Sequence, residues 1–148
     1  MIHIIKLKRV TRDNYLQVIK LKVHREQFKF VAKNKDSLVE ASVKKEYVPK
    51  AIYYNKILVG FLMFARNDSY NGYAIHRLMI DKKYQGLGYG KEALSKLIEM
   101  FKNEKKYNDI YISLMGTNMV ARKLYEELGF INTGDLTDNC EIILSMKI

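Results

Sequence analysis

Hydrophobic and polar positions along the chain predict a β-rich middle flanked by helices. Apolar, β-branched and aromatic residues fill 51–54 and 57–65 on either side of a short polar turn, a pattern that is typical of a β-hairpin. A second turn is expected over 67–72, and an apolar strand over 73–80 follows it. The centre of the chain therefore predicts three consecutive strands.

Four stretches place apolar residues three and four positions apart, which is the spacing of one helix face. The first follows Thr11, whose hydroxyl suits an N-cap, and the second runs from Ser37 to about Lys45 before Pro49. The third follows a glycine-rich loop, and the fourth follows Asn118. The residues expected to face the core are Tyr15, Val18 and Ile19; Leu38, Val39, Ala41 and Ser42; Ala93, Leu94, Leu97, Ile98 and Phe101; and Val120, Ala121, Leu124 and Leu128.

Further strands are expected towards both ends of the chain. One includes Ile2 and Leu7, another covers 110–114, and 130–132 with 140–146 predict a closing hairpin. No repeat, low-complexity segment or linker interrupts the 148 residues. The pattern therefore predicts one domain, 1–148, with a mixed α/β sheet that carries helices on both faces.

A glycine-rich loop at 85–91 joins the third central strand to the third helix. Glycines at alternate positions remove every second Cβ, so the backbone can turn sharply and direct several N–H groups to one point. The start of the following helix adds unpaired N–H groups and a positive dipole end, and Lys91 adds a full charge. This combination favours a phosphate group as the ligand.

The spacing of this loop excludes two common phosphate-binding motifs. The dinucleotide fingerprint Gly-x-Gly-x-x-Gly, counted from Gly86, would need a glycine at Lys91. The P-loop pattern would need a glycine in place of Gln85. The spacing that fits is Gln-x-x-Gly-x-Gly, read as Gln85, Gly88 and Gly90, and it resembles the acyl-CoA pyrophosphate loop of the GNAT N-acetyltransferase superfamily.

A second segment supports this resemblance. The stretch 118–130 is similar to the superfamily's pattern Asn-x-x-Ala-x-x-x-Tyr-x-x-x-Gly-Phe, and it follows the glycine loop in the expected order. An ordinary strand-to-helix turn explains one such loop but not both motifs. The resemblance implies a mixed, mostly antiparallel sheet of about seven strands. It also implies that the strands ending at Ile80 and near Leu114 splay apart to admit the pantetheine arm.

The resemblance implies that acetyl-CoA is the co-substrate and that no metal takes part. Asn118 is expected to contact the cofactor, and it also suits a plain helix N-cap; these two roles are compatible. The residues expected to bind the cofactor are Leu78, Met79 and Ile80 through their main chain, Gln85, Gly86, Leu87, Gly88, Tyr89, Gly90 and Lys91 around the pyrophosphate, and Asn118 beside the pantetheine.

Two residues are candidates for proton transfer. In the segment that resembles the family, Tyr125 stands at the position of the tyrosine that is the general acid of many of these enzymes, where it protonates the departing thiolate. The alternative is that Tyr125 is a tyrosine packed in the core beside Leu124. His76 is the candidate base that accepts the proton of an ammonium substrate. It stands four residues before Ile80, where related polyamine acetyltransferases carry an acidic residue, so a histidine satisfied within the sheet remains an alternative.

The N-terminal half and the entry to the glycine loop resemble the bacterial spermine/spermidine acetyltransferases. The residues that carry this resemblance are Gln27, Phe28, Leu38, Glu40, Ala41, Tyr53, Tyr54, Leu58, Val59, Gly60, Phe61, Arg77, Tyr84, Gln85 and Gly86. The predicted reaction is therefore direct transfer of an acetyl group to a primary amine, with a polyamine as the leading acceptor. No Ser/His/Asp or Cys/His constellation suggests a covalent intermediate. Acetylation of a protein N-terminus, a lysine or another small amine is the alternative, as is a non-catalytic acyl-CoA-binding module.

Net charge modifies this interpretation. The chain carries +10, which suits an anionic ligand such as coenzyme A but repels a polycation. Scattered lysines favour a solvated surface, and no ordered basic and aromatic motif favours nucleic acid. A polyamine acceptor requires that carboxylates such as Glu26, Asp36, Glu40 or Glu46 gather at the acceptor cleft; the simpler interpretation of these four is as charges on helix surfaces.

Cysteine, histidine and hydropathy bound the remaining possibilities. A single cysteine, Cys140, excludes an internal disulfide, favours a reducing compartment and is expected to be a buried or half-buried packing thiol. The histidines lack zinc-ligand spacing, and the apolar run 57–65 is too short for a bilayer. A cytoplasmic location is expected, no membrane partner is expected, and a homodimer is left open.

Overall fold

Residues 4–148 are described by the structure, a computed structural model. Seven strands occur along this part of the chain: β1 Ile5–Arg9, β2 Tyr47–Tyr54, β3 Ile57–Asn67, β4 Gly72–Ile80, β5 Asp109–Leu114, β6 Ile131–Leu136 and β7 Ile142–Lys147. They form one sheet in the order β1-β2-β3-β4-β5-β7-β6. Among the strand pairs of residues 4–148 only β4–β5 is parallel, so the expected mixed, mostly antiparallel sheet is confirmed.

Helices cover both faces of the sheet, as predicted. One core cluster joins β2, β3 and β4 to the first two helices, and a larger cluster on the other side includes residues of the last two. Short 3-10 helices at Arg25–Gln27 and Lys82–Tyr84 complete the connections. The described part of the chain contains four α-helices, α1 Tyr15–Lys20, α2 Asn34–Val43, α3 Tyr89–Glu104 and α4 Met119–Glu127.

The helix after the glycine loop, α3, buries the face that the sequence predicts. Phe101 stacks on Tyr73 of β4 with ring centroids 3.8 Å apart and meets Phe64 of β3 edge-on at 5.0 Å. These aromatic contacts add to burial of apolar area and hold α3 across the middle of the sheet. The five predicted positions are all buried, namely Ala93, Leu94, Leu97, Ile98 and Phe101.

The first helix differs from the prediction at its start. Val18 is buried as expected, but Tyr15 is exposed. The N-cap is Asn14 and not Thr11, so the predicted cap is wrong. The Thr11 main-chain N–H donates to Asn14 Oδ1 at 2.8 Å, and its hydroxyl accepts from Asp13 N at 3.2 Å. Thr11 therefore stabilises the turn that precedes α1.

The second helix turns a polar face inwards. It begins at Asn34, before the predicted start at Ser37, and both residues are buried. Val39 and Ser42 are exposed, so their predicted inward orientation is wrong. Asn34 Nδ2 donates to the Val18 carbonyl at 2.9 Å, and this hydrogen bond satisfies a polar group at an inner position.

In the fourth helix the buried stripe is shifted by one residue. Val120 is exposed, so its predicted burial is wrong, whereas Tyr125 is only 7% exposed. Ala121, Leu124 and Leu128 pack at the edge of the larger core cluster. The helix begins at Asn118, which is the N-cap and accepts a hydrogen bond from Ala121 N at 3.3 Å.

Three single residues also bear on the sequence predictions. Pro49 lies within β2, just outside the stretch that pairs with β1, and α2 has already ended at Val43. Cys140 is exposed at φ 62° in the turn between β6 and β7, so the predicted packing thiol is wrong. The turn directs this side chain away from the core. Ile2, expected in the first strand, lies outside the described residues.

The two central parallel strands separate halfway along their length, as the resemblance implies. Pairing of β4 with β5 runs from Gly72 opposite Asp109 to Ile75 opposite Ile112 and then stops. The β3–β4 register shifts at the next residue, His76, which has no ladder partner. A bulge of this kind increases twist and bends the strand, so the remainder of β4 diverges from β5.

We expect Gly60→Ala to destabilise the fold, because Gly60 packs directly on the diverging end of β4. An added Cβ would collide with the Met79 carbonyl oxygen and come within 2.8 Å of Ile80 Cδ1. Overpacking at such a site costs about 1–3 kcal/mol in the free energy of unfolding. Thermal and urea unfolding would measure this loss in the free energy of unfolding. In the control Gly116→Ala, the nearest atom is 3.7 Å from the new Cβ, and equal stability of both variants would contradict the expectation.

Candidate active site

A cavity of about 400 Å³ occupies the opening between β4 and β5. It brings together His76 and Leu78 of β4 with Asn118 and Tyr125, four residues that the sequence singles out. The separation of β4 from β5 creates this space, because the two strands no longer pair with each other there. The lining residues are Phe28, Lys29, Phe30, Val31, Ala32, His76, Arg77, Leu78, Ser113, Leu114, Asn118, Ala121, Tyr125 and Glu141.

Helix α4 presents one face to the cavity. Asn118, Ala121 and Tyr125 are spaced by three and four residues, so they lie on one side of the helix. The Tyr125 ring meets Phe130 edge-on at 5.9 Å, which fixes its orientation. Burial raises the pKa of Tyr125 to about 12. The phenol is therefore protonated throughout the neutral range.

His76 lies at the bulge in β4 and lines the cavity. Its ring lies 4.6 Å from the ring of Tyr47 on β2. Burial and, after it, the Arg77 guanidinium lower the pKa of His76, whereas Glu40 and Glu46 oppose this shift in its pKa. The imidazole is therefore neutral over most of the physiological pH range and can accept a proton.

The glycine loop has the open geometry that the sequence predicts. Gly86 and Gly88 have φ of 77° and 85°, and a Cβ at either position would meet nothing within 4 Å. Gly88 is the N-cap of α3, and because a glycine has no side chain it cannot accept a hydrogen bond from the N–H groups of the first turn. The first hydrogen bond within the helix runs from Glu92 N to Gly88 O at 3.1 Å. The N–H groups of the first turn thus have no partner inside α3.

Side chains around the loop make contacts that the sequence does not predict. Gln85 folds back, and its Nε2 donates to the Ile80 carbonyl oxygen at 2.9 Å and to Gln27 Oε1 at 2.9 Å. Lys91 Nζ lies 3.8 Å from Glu127 Oε2 of α4. The loop's capacity for an anion therefore rests mainly on main-chain N–H groups, with the Lys91 charge shared with a carboxylate.

The end of β4 offers main-chain groups to the cavity side. Asp81 N donates to Val59 O of β3 at 2.8 Å. Along an antiparallel strand, successive residues point their N–H and C=O groups alternately towards the partner strand and away from it. Leu78 and Ile80 therefore point their main-chain groups away from β3, whereas Met79 faces β3. The Met79 side chain is buried and accepts a hydrogen bond from Asn34 Nδ2 at 3.6 Å. This geometry favours Leu78 and Ile80, and not Met79, for contact with a cofactor.

One acidic lining residue escapes the sequence analysis. Glu141 stands just before β7, held by hydrogen bonds from its N–H to Thr137 Oγ1 at 3.1 Å and from Thr137 N to its carbonyl at 2.9 Å. No motif marks it, and the only signal available is its place at the start of a strand next to β5. Among residues 4–148, the ion pairs do not include its carboxylate.

Within residues 4–148 no three His, Cys, Asp or Glu side chains gather closely enough to hold a metal ion. No helix in this described region is long and apolar enough to cross a membrane.

The chain is similar in sequence to a known protein family. A family model described as the Acetyltransferase (GNAT) family matches residues 14–130. Two Bacillus subtilis proteins, "Spermine/spermidine N(1)-acetyltransferase" (strain 168) and "Probable spermine N(1)-acetyltransferase" (subsp. natto strain BEST195), are 34% and 35% identical over 150 residues. Both comparisons cover 97% of this chain and 99% of the relative.

A solved structure shares the fold. The structure of "spermidine N-acetyltransferase from Vibrio cholerae in complex with CoA and spermine" superposes with a TM-score of 0.76 at 17% identity. The match covers 97% of this chain and 94% of that one. The glycine loop, the Asn118 segment and the opening between β4 and β5 all lie within the aligned fold or the matched family region. The chain therefore belongs to the GNAT acetyltransferase family and is an N-acetyltransferase.

Proposed function

We propose that this protein transfers the acetyl group of acetyl-CoA directly to a primary amine of a polyamine such as spermidine or spermine. The observation that carries the proposal is the opening between β4 and β5, where one cavity is lined by both His76 and Tyr125. The names of the two Bacillus relatives, and the CoA and spermine of the Vibrio structure, support this choice of substrates.

The residues present fit acetyl-CoA. Space around Gly86 and Gly88, together with unpaired N–H groups at the start of α3, suits a pyrophosphate. The main chains of Leu78 and Ile80 would hold the pantetheine amides, and Asn118 lines the same cavity as Leu78. When bound, acetyl-CoA supplies an acetyl group activated as a thioester.

His76 receives the role of general base. An aliphatic amine is mostly ammonium at neutral pH, and only the free amine is a nucleophile. The neutral imidazole accepts this proton directly or through water, because its lowered pKa keeps it unprotonated when the amine enters. His76 lies at the bulge of β4 and is one of the residues that line the cavity.

Tyr125 receives the role of general acid. Its hydroxyl holds a proton at Oη, and the raised pKa of about 12 ensures that this proton is present at any physiological pH. A thiol has an ordinary pKa of about 8.5, so complete transfer of the Tyr125 proton to the thiolate is unfavourable in free energy. The main contribution of Tyr125 is therefore a hydrogen bond that stabilises negative charge on the departing sulfur.

Carboxylates near the cavity answer the electrostatic objection to a polycation. Glu141 lines the cavity, and Glu40 and Glu46 are close enough to act on the pKa of His76. Lys29 and Arg77 line the same cavity with positive charge. An extended polyamine places its reacting amine near His76 and a second ammonium beside Glu141, which the structure leaves without an ion pair among residues 4–148.

We expect Tyr125→Phe to lower kcat by about 10²-fold or more and to leave the KM for acetyl-CoA nearly unchanged, because the hydroxyl stabilises only the developing thiolate. Thiol release measured at saturating amine would test this. The control Tyr111→Phe removes a hydroxyl from β5 outside the cavity lining. Equal losses in both variants would contradict the role of Tyr125.

We expect His76→Gln to lower kcat/KM by about 10²-fold at pH 7 and by much less as the pH approaches the amine's own pKa of about 10. In the native protein, the rate should fall as the pH drops through the lowered pKa of His76, below its ordinary value of 6.5, since protonation removes the base. Initial rates from pH 5 to pH 10 would measure both effects. Parallel pH profiles would exclude His76 as the base.

We expect spermidine and spermine to have kcat/KM values at least about tenfold above that of a linear monoamine, since a second ammonium gains a charge-assisted contact. A panel with acetyl-CoA, these amines and a peptide with a free N-terminus would measure it. Glu141→Gln should narrow the preference by raising the KM for polyamines while leaving the monoamine unaffected.

The control for this experiment is Glu99→Gln, which makes the same charge change on the exposed side of α3, away from the cavity. A preference that falls equally in both variants would reflect net charge alone. Thiol release with the peptide in preference to every polyamine would redirect the acceptor to protein N-termini. Coenzyme binding without thiol release from any amine would favour a binding module.

A further inference from the structure

Two glutamine side chains far apart in the sequence form a reciprocal amide pair. Gln27 Nε2 donates to Gln85 Oε1 at 3.1 Å, and Gln85 Nε2 donates to Gln27 Oε1 at 2.9 Å. Gln85 Nε2 also donates to Ile80 O at 2.9 Å, and Gln27 Oε1 also accepts from His24 N at 3.0 Å. The pair therefore links four main-chain and side-chain groups in one network.

The position of this pair connects two parts of the active site. Gln27 is the last residue of the 3-10 helix Arg25–Gln27, and the next residues, 28–32, form one wall of the cavity. Gln85 is the first residue of the glycine loop. The network thus joins the wall on one side of the cavity to the loop assigned to the pyrophosphate.

A second tether lies a few residues upstream. The buried carboxylate of Asp81 accepts from Lys22 N at 2.9 Å, and Lys82 N donates to Lys22 O at 2.8 Å. The segment between 22 and 27 is therefore fixed to the end of β4 at both ends. Its downstream end depends on the glutamine pair alone among these tethers.

The first half of the loop has open space beside it. Gly86 and Gly88 meet nothing around their missing Cβ atoms, and Leu87 is exposed. Any ligand that orders this half of the loop also fixes Gln85, and through Gln85 it fixes Gln27. Such a connection transmits order from the loop to the cavity wall.

We infer that Gln27 is a positioning residue that couples the binding of coenzyme A to the binding of the amine, by tying the 28–32 wall to the glycine loop. This inference rests on the proposed function, because it takes the loop to hold the coenzyme and the wall to face the acceptor. Coupling of this kind is reciprocal, so the amine strengthens coenzyme binding by the same factor.

The test uses titration calorimetry of coenzyme A with and without saturating spermidine, together with steady-state kinetics. The native protein should bind coenzyme A about tenfold more tightly when spermidine is present. Gln27→Leu keeps the size of the side chain and removes its hydrogen bonds, so this factor should fall towards one. The bond from Gln85 to Ile80 remains, and binding of coenzyme A alone should change little.

Two further variants sharpen the result. Gln27→Glu keeps acceptors for His24 N and Gln85 Nε2 and loses only the donation to Gln85 Oε1, so it should retain part of the coupling. Gln17→Leu, an equal substitution on the exposed face of α1, should retain all of it. Should Gln27→Leu fail to fold, Gln27→Glu carries the comparison.

The outcomes separate this inference from the proposed function. Full coupling in Gln27→Leu, or equal loss of coenzyme affinity with and without spermidine, would overturn the positioning role and leave acetyl transfer intact. Acetyl transfer by the native protein without any coupling would also overturn it. Absence of both coenzyme binding and thiol release in the native protein would instead remove the proposed function.

Discussion

The separation of β4 from β5 is the constraint on which the rest of the structure depends. Their pairing ends at Ile75 and Ile112, and the bulge at His76 bends β4 away. Beyond Ile75, β4 stays paired with β3, but its main-chain groups on the β5 side have no strand partner, and such groups require partners. Gln85 supplies one at Ile80 O, and an extended ligand with amide groups would supply others. The gap in the sheet is thus what makes a binding site.

Electrostatics sets the second constraint, because the chain is strongly cationic and its proposed acceptor is a cation. The surplus of +10 favours coenzyme A at long range but opposes an amine. Local placement decides between these effects, since fields at a cavity depend on the nearest charges. Glu141 lines the cavity together with Lys29 and Arg77, whereas most of the other lysines lie on exposed surface. Net charge therefore predicts the affinity for the coenzyme better than it predicts the acceptor.

The sequence predicts those features of the site that depend on local spacing. The glycine loop and the buried face of α3 follow from the residue pattern, and the α4 motif places Asn118 and Tyr125 on one cavity. Burial of Asn34 depends on a tertiary hydrogen bond to Val18, which no local pattern contains. Glu141 reaches the cavity because the next residue of the chain pairs with the end of β5, and that register is set only in the folded sheet.

Burial explains how one cavity prepares both an acid and a base. Removal from water disfavours the charged form of any group, so it raises the pKa of Tyr125 and lowers the pKa of His76. Each residue is thereby held in its neutral form, which is the protonated form of the phenol and the unprotonated form of the imidazole. The same environment disfavours the ammonium form of a bound amine and so assists its loss of a proton. A carboxylate at the cavity is then needed to attract the distant ammonium of the substrate, and not the one that reacts.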